Sequence, residues 1–217
     1  MADDLPYPFL EDAEALARFE GWTRDQLADL LEVRAGRMSS RDFDARYQVE
    51  RAILVLDLTG FTETAMKGGA LQSFLRVLDA HSICLPVMHE FGAHFVRTFA
   101  DDVVALFDRP EAALGAALEA HRRTDHFAGS GRSDDPARCC IGIGYGRVHA
   151  IGPNHAMGDE MNRASKLGED LARGGETLLT EGAHRALAST SEQRIERVAA
   201  DDVLFPYYRV ARRSHSR

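Results

Sequence analysis

Residues 52–58, AILVLDL, make an unbroken apolar run that ends on a carboxylate, Asp57, and a leucine. A run this short and this apolar reads as a buried central strand. An ionised carboxylate at its end is expensive to bury unless it is paired or binds a cation. The same situation recurs in HFVRTFADDVVALF, residues 94–107. There two strand-like segments are joined at Ala100-Asp101-Asp102, a tight hairpin. If the two runs are neighbouring strands, Asp57 and Asp101 form a hard-oxygen pocket suited to Mg²⁺ or Mn²⁺. Such a pocket points to two-metal phosphate chemistry. The plainer readings are a strand-end residue capping its turn for Asp57 and a turn former for Asp101, with Asp102 as a further turn residue.

Composition narrows the class. The chain has 217 residues, 45% hydrophobic and 28% charged, an ordinary globular balance. Its net charge of −8 and scattered arginines argue against a nucleic-acid binder. No stretch approaches the roughly 18 apolar residues of a membrane span. The segment MADDLPYPFLEDAEALARFE is acidic and broken by prolines, unlike a signal peptide. Cys84, Cys139 and Cys140 make a poor disulfide framework, and Cys139 and Cys140, which start an apolar run, read as small core residues. A cytoplasmic protein is expected.

The periodicity divides the chain at about residue 50. Residues 1–49 read as a helical extension. Two amphipathic helices lie within 9–36, the second with Thr23 as N-cap and Gly36 as stop, and 37–50 is a linker or short helix. Residues 50–212 read as one α+β domain. A helix over about 69–91 carries Leu71, Phe74, Leu75, Leu78, Ile83, Leu85 and Val87, and Pro110 opens another that reaches about Phe127. CCIGIGYGRVHAIG, 139–152, is a strand with alternating glycines; NRASKLGEDLA lies on a helix over about 160–172. A short strand, a short helix and a closing hairpin follow. The order β-α-β-β-α-β with an α/β extension resembles a ferredoxin-like core.

Four separated segments then match one family in order: DLTGFT at 57–62, R-x-x-A-D at 97–101, IGIGYGRV at 141–148 and GDEMNRASKL at 158–167. Over about residues 50–210 the chain resembles the class III nucleotidyl cyclases, the adenylate and guanylate cyclase catalytic domains. The resemblance implies attack of a ribose 3′-oxygen on the α-phosphate of the same nucleoside triphosphate, with pyrophosphate leaving. It implies that Asp57 and Asp101 hold two Mg²⁺ or Mn²⁺ ions, with the Leu58 carbonyl on one of them. Thr59, Gly60, Phe61 and Thr62 would wrap the β- and γ-phosphates, and Arg147 would add a phosphate contact. Asn162 would orient the ribose. Lys166 stands where the family usually has an arginine that stabilises the α-phosphate; it keeps the charge but loses the bidentate fork.

Base selection departs from the family pattern. Arg97 and His155 stand at the two base-reading positions, and neither residue type is the usual one for adenine or guanine. A phosphate-binding lysine common near the family's C-terminus has no counterpart in RVAADDVLFPYYRV. The family's metal aspartates and its Asn/Arg helix usually come from opposite subunits. Both halves are present in this chain, so a homodimer with two shared sites is implied. The alternative is a catalytically silent cyclase-fold module that binds a nucleotide or a protein partner.

Overall fold

The computed structural model describes residues 12–20, 22–59, 69–131, 138–151, 155–199 and 203–211. The elements are α1 (Ala13–Glu20), α2 (Arg24–Arg34), α3 (Ser40–Tyr47), β1 (Gln48–Leu58), α4 (Ala70–Glu90), β2 (Phe95–Phe99), β3 (Asp102–Phe107), α5 (Pro110–Gly129) and β4 (Cys139–Ile151). They continue with β5 (His155–Met157), α6 (Asp159–Ser165), a π-helical segment (Lys166–Leu171), β6 (Thr177–Thr180), α7 (Glu181–Leu187), β7 (Ile195–Val198) and β8 (Tyr207–Val210). By compactness the chain forms two units, one up to Val49 with Val148–Gly158, the other Glu50–Arg147 with Asp159–Arg217.

In the first unit, α2 starts at a capping box in which Thr23 and Gln26 satisfy each other's backbone N–H groups. Gln26 Nε2 donates to the Ala150 carbonyl at 2.7 Å, and His149 Nε2 lies 2.8 Å from Asp44 Oδ1. Segment 37–50 holds the helix α3, capped by Ser39. Asp29 ties α2 to α3 by accepting from Arg46 and Tyr47.

The second unit is built on the strand order β2-β3-β1-β4-β6-β8-β7. Within it β4-β1-β3-β2, with α4 and α5 as crossovers, is the ferredoxin-like arrangement expected of a βαββαβ core. The extension continues the sheet, β6 running parallel to β4 and β8 antiparallel to β6. One sheet face is the main core. Leu54, Leu56 and Leu58 of β1, Val103 and Phe107 of β3, and Ile141 and Ile143 of β4 meet Cys84, Val87 and Met88 of α4 there, with Ala113, Ala116, Ala117 and Ala120 of α5. The alanines let α5 lie close to the sheet, and each fully buried Leu or Ile contributes about 1.5–3 kcal/mol.

The glycine alternation in β4 serves the other face. A Cβ at Gly142 would lie 2.1 Å from the Ala164 carbonyl oxygen and 2.5 Å from the Gly168 nitrogen. A Cβ at Gly168 would lie 2.7 Å from the Val55 carbonyl oxygen. Only hydrogen at both positions lets the α6–π segment rest on the backbones of β1 and β4. Buried Glu160 keys α6 in place, accepting from the Tyr145 N–H at 3.0 Å and from the Thr180 hydroxyl.

Two expectations are corrected. The single α-helix expected over 160–172 is α-helical only to Ser165 and π-helical from Lys166. The i, i+4 argument that set Asn162 and Lys166 on one face therefore crosses a change of helical pitch. Asp102 is the first residue of β3, paired with Phe99, so the turn is the two residues Ala100 and Asp101. Ala100 has φ of 53°, a left-handed conformation that costs a non-glycine residue about 1 kcal/mol. Along the first half of α4, Leu71, Phe74, Leu75 and Leu78 are exposed, while Ser73 and Arg76 are buried. Among the described residues no helix is long and apolar enough to cross a membrane.

Candidate active site

The β1–β3 register brings the acids together. Leu56 opposes Val103 and Val55 opposes Val104, so one further step sets Asp57 opposite Asp102, beside the hairpin tip that carries Asp101. By strand alternation both side chains share the face of Val55 and Val104, away from the α4/α5 core. Asp57 is half-buried, and Oδ1 accepts from the Leu58 N–H at 2.7 Å. Its carboxyl is pushed up to about 7, chiefly by burial and further by the charges of Asp101 and Asp102, with the Leu58 N–H pulling the other way. Asp102 is pushed up to about 6, first by burial, then by repulsion from Glu169 in the π-helical segment and from Asp101. Arg97, on β2 opposite Val104 and diagonal to Asp102, pulls the other way.

Two half-buried carboxylates that resist ionising side by side, Asp57 and Asp102, form a site short of positive charge. Among the described residues no group of three His, Cys, Asp or Glu side chains forms a complete metal cage. A Mg²⁺-type site does not need one, because two carboxylates, a carbonyl, water and substrate phosphates complete its octahedron. Asp57 and Asp101, with the Leu58 carbonyl next in line, fit that donor set. Asp102 and Glu169 are additions that sequence reading missed. Alternation along DVVALF would have put Asp102 on the face of Asp57; nothing local marks Glu169, which depends on how the π segment lies on the sheet.

The exit of β1 is held from two sides. The Thr59 N–H and hydroxyl both donate to the Arg138 carbonyl, at 3.0 and 2.9 Å. Arg76 Nη2 donates to the Thr59 carbonyl at 2.6 Å. One of the donors expected to wrap phosphates is thus committed within the protein. Gly60, Phe61 and Thr62 lie outside the described residues. His81 of α4 lies beside Asp101; burial lowers its pKa, and its Nε2 is buried without a hydrogen-bond partner among the described residues.

The remaining candidates are dispersed. Asn162, in α6, is exposed. Lys166 opens the π segment, and its Nζ lies 2.8 Å from Asp170 Oδ2 in an exposed ion pair. Such pairs contribute at most about 1 kcal/mol and are easily exchanged for a phosphate. Arg147 is exposed on β4, with no ion pair to the acidic cluster among the described residues. Of His155 only the backbone is described, paired with Ile151 across the β4–β5 hairpin.

With this geometry in view, the comparisons assign the fold. The guanylyl cyclase domain of the RhoGC fusion protein from the aquatic fungus Blastocladiella emersonii superposes with a TM-score of 0.62 at 18% identity, over 75% of this chain and 97% of that one. The adenylate/guanylate cyclase/hydrolase from Silicibacter pomeroyi gives 0.64 at 18%, over 76% and 98%. The adenylyl cyclase CyaB from P. aeruginosa gives 0.59 at 19%, over 77% and 97%. The chain has the fold of the class III cyclase catalytic domains. No protein-family profile and no curated protein sequence matches it.

Proposed function

We propose that this chain is a nucleotidyl cyclase converting a nucleoside triphosphate to its 3′,5′-cyclic nucleotide and pyrophosphate. One observation carries the reading: Asp57 and Asp101 meet where β1 ends and the β2–β3 hairpin turns, in a setting where burial first, and then the charges of Asp101 and Asp102, push Asp57 up to about 7. Asp57, Asp101 and the Leu58 carbonyl would hold two Mg²⁺ or Mn²⁺ ions. Those ions would lower the pKa of the ribose hydroxyl and neutralise the leaving pyrophosphate.

The protein's own groups supply positioning and charge. Asn162 orients the ribose. Lys166 leaves Asp170 and donates to the α-phosphate as charge builds there. Gly60, Phe61, Thr62 and Arg147 receive the β- and γ-phosphates, with Thr59 as the anchor from which that segment leaves β1. Arg97, a fixed cationic donor beside Asp102, suits the carbonyl edge of a guanine or pyrimidine, and His155 stands at the second base-reading position. The protein works as a homodimer in which each site takes its acids from one subunit and Asn162 and Lys166 from the other. The exposed Leu71, Phe74, Leu75 and Leu78 on α4 are apolar surface of the kind a second copy covers. Reduced Cys84, Cys139 and Cys140 suit the cytoplasm.

One observation favours a second reading. The 2.8 Å Lys166–Asp170 pair describes a lysine turned to its own helix, as in a silent module that binds nucleotide without turning it over. Product formation in Lys166 variants separates the two. In a cyclase, Lys166→Ala lowers the rate about 100-fold with triphosphate affinity changed little, and Lys166→Arg restores or raises it. A silent module gives no product from the native chain and no gain from Lys166→Arg.

A further inference from the structure

We infer that Arg76 is a positioning residue for the triphosphate: a buried cation beneath the exit of β1 that fixes Thr59 and lends its charge to the phosphate end of the site. The inference rests on the reading that the phosphates are received where β1 ends.

Arg76 lies in the second turn of α4 and is 9% exposed. The first half of this helix is inverted relative to its apolar pattern. Leu71, Phe74 and Leu78 are 59–67% exposed, whereas Ser73 and Arg76 face inward. Ser73 Oγ is buried with no hydrogen-bond partner among the described residues. A guanidinium stays charged at any accessible pH, and burying it costs far more than burying a leucine. Packing alone would have turned the leucines in. A functional load on the charge explains why it is kept inside.

The contact it makes names that load. Arg76 Nη2 donates to the Thr59 carbonyl at 2.6 Å, while the Thr59 N–H and hydroxyl are held by the Arg138 carbonyl. A Cβ at Gly174 would lie 2.8 Å from Thr59 Cγ2, so that side is closed as well. Thr59 is therefore held through its N–H, its hydroxyl and its carbonyl, two residues after Asp57 and one after Leu58. Arg76 is the charged member of the clamp. A cation in a low-dielectric setting attracts a nearby polyanion much more strongly than one in water.

Pyrophosphate in the presence of Mn²⁺ is the probe, with Mn²⁺ alone as the control and thermal unfolding as the check on folding. In Arg76→Met, pyrophosphate binding is expected to weaken at least about tenfold, the loss typical of a charge-assisted contact, with Mn²⁺ alone bound within about twofold of native. Arg76→Lys, which keeps the charge and loses the fork, should fall between the two. If Arg76→Met does not fold, Arg76→Lys is read by the same pair of measurements. A folded variant that binds pyrophosphate as the native protein does overturns the inference. So does one that loses Mn²⁺ and pyrophosphate in equal measure, which marks a purely structural role. Native protein that fails to bind pyrophosphate with Mn²⁺ also overturns it. Native protein that binds pyrophosphate but cyclises no triphosphate overturns the cyclase reading and leaves the role of Arg76 standing.

Discussion

Asp57→Asn should abolish cyclic nucleotide formation and at the same time raise the melting temperature of the metal-free protein. The two effects have one cause. Asparagine keeps an oxygen for the Leu58 N–H but removes a charge that burial, Asp101 and Asp102 all oppose. For an acid whose folded pKa is raised from its ordinary 3.8 to about 7, the folded state holds a proton that the unfolded chain has released. Stability from this group is full below about pH 4 and is lost as pH rises towards 7; Asp102 follows the same sign up to about 6. Above pH 7 the native metal-free protein bears the whole penalty. After allowance for half exposure, relieving it is worth on the order of 1–2 kcal/mol, or about 2–6 °C in a chain of this size. Mn²⁺ should raise the melting temperature of the native protein more at pH 8 than at pH 5, and should do little for Asp57→Asn. Activity should drop about a thousandfold or more, the scale of losing several kcal/mol of charge stabilisation. Thermal scans with and without Mn²⁺ at both pH values, alongside the rate, check all of this. A variant that melts lower than native, or that still responds to Mn²⁺, would contradict the assignment of Asp57.

The second large effect concerns the subunits. Asp57→Ala supplies a chain with intact Asn162 and Lys166 but no metal side; Asn162→Ala combined with Lys166→Ala supplies the converse. Each alone should be inactive. Mixed after reversible dissociation, they should recover about a quarter of native activity, since half of the random dimers are mixed and each of those has one complete site of two. Recovery of nothing, with mixed dimers demonstrated by mass, would mean that the site is built within one chain.

The parts of the fold that were legible in the sequence are those fixed by local pattern. The run ending at Asp57, the tight turn after Phe99, the Pro110 helix start and the alternating glycines of β4 all read correctly, because each depends on neighbours along the chain. What was not legible depends on contacts across it. The change from α to π pitch at Lys166 falls where Gly142 and Gly168 approach each other closely, a contact that no window on NRASKLGEDLA contains. Asp102 looks like a turn residue until β3 is paired with β2, and only then joins the acids. Arg76 sits among leucines that periodicity would favour for the interior, yet the tertiary structure buries the arginine against Thr59. The sequence therefore placed Asp57 and Asp101 at the ends of neighbouring strands and left their electrostatic surroundings hidden.

One measurement bears most directly on the function. Purified protein is incubated with Mn²⁺ and each of ATP, GTP, CTP and UTP, with Asp57→Ala in parallel, and products are separated and quantified. The expected result is a 3′,5′-cyclic nucleotide and equimolar pyrophosphate from at least one triphosphate, and none from the variant. Folded native protein that binds triphosphate and Mn²⁺ but yields no cyclic product from any of the four would contradict it.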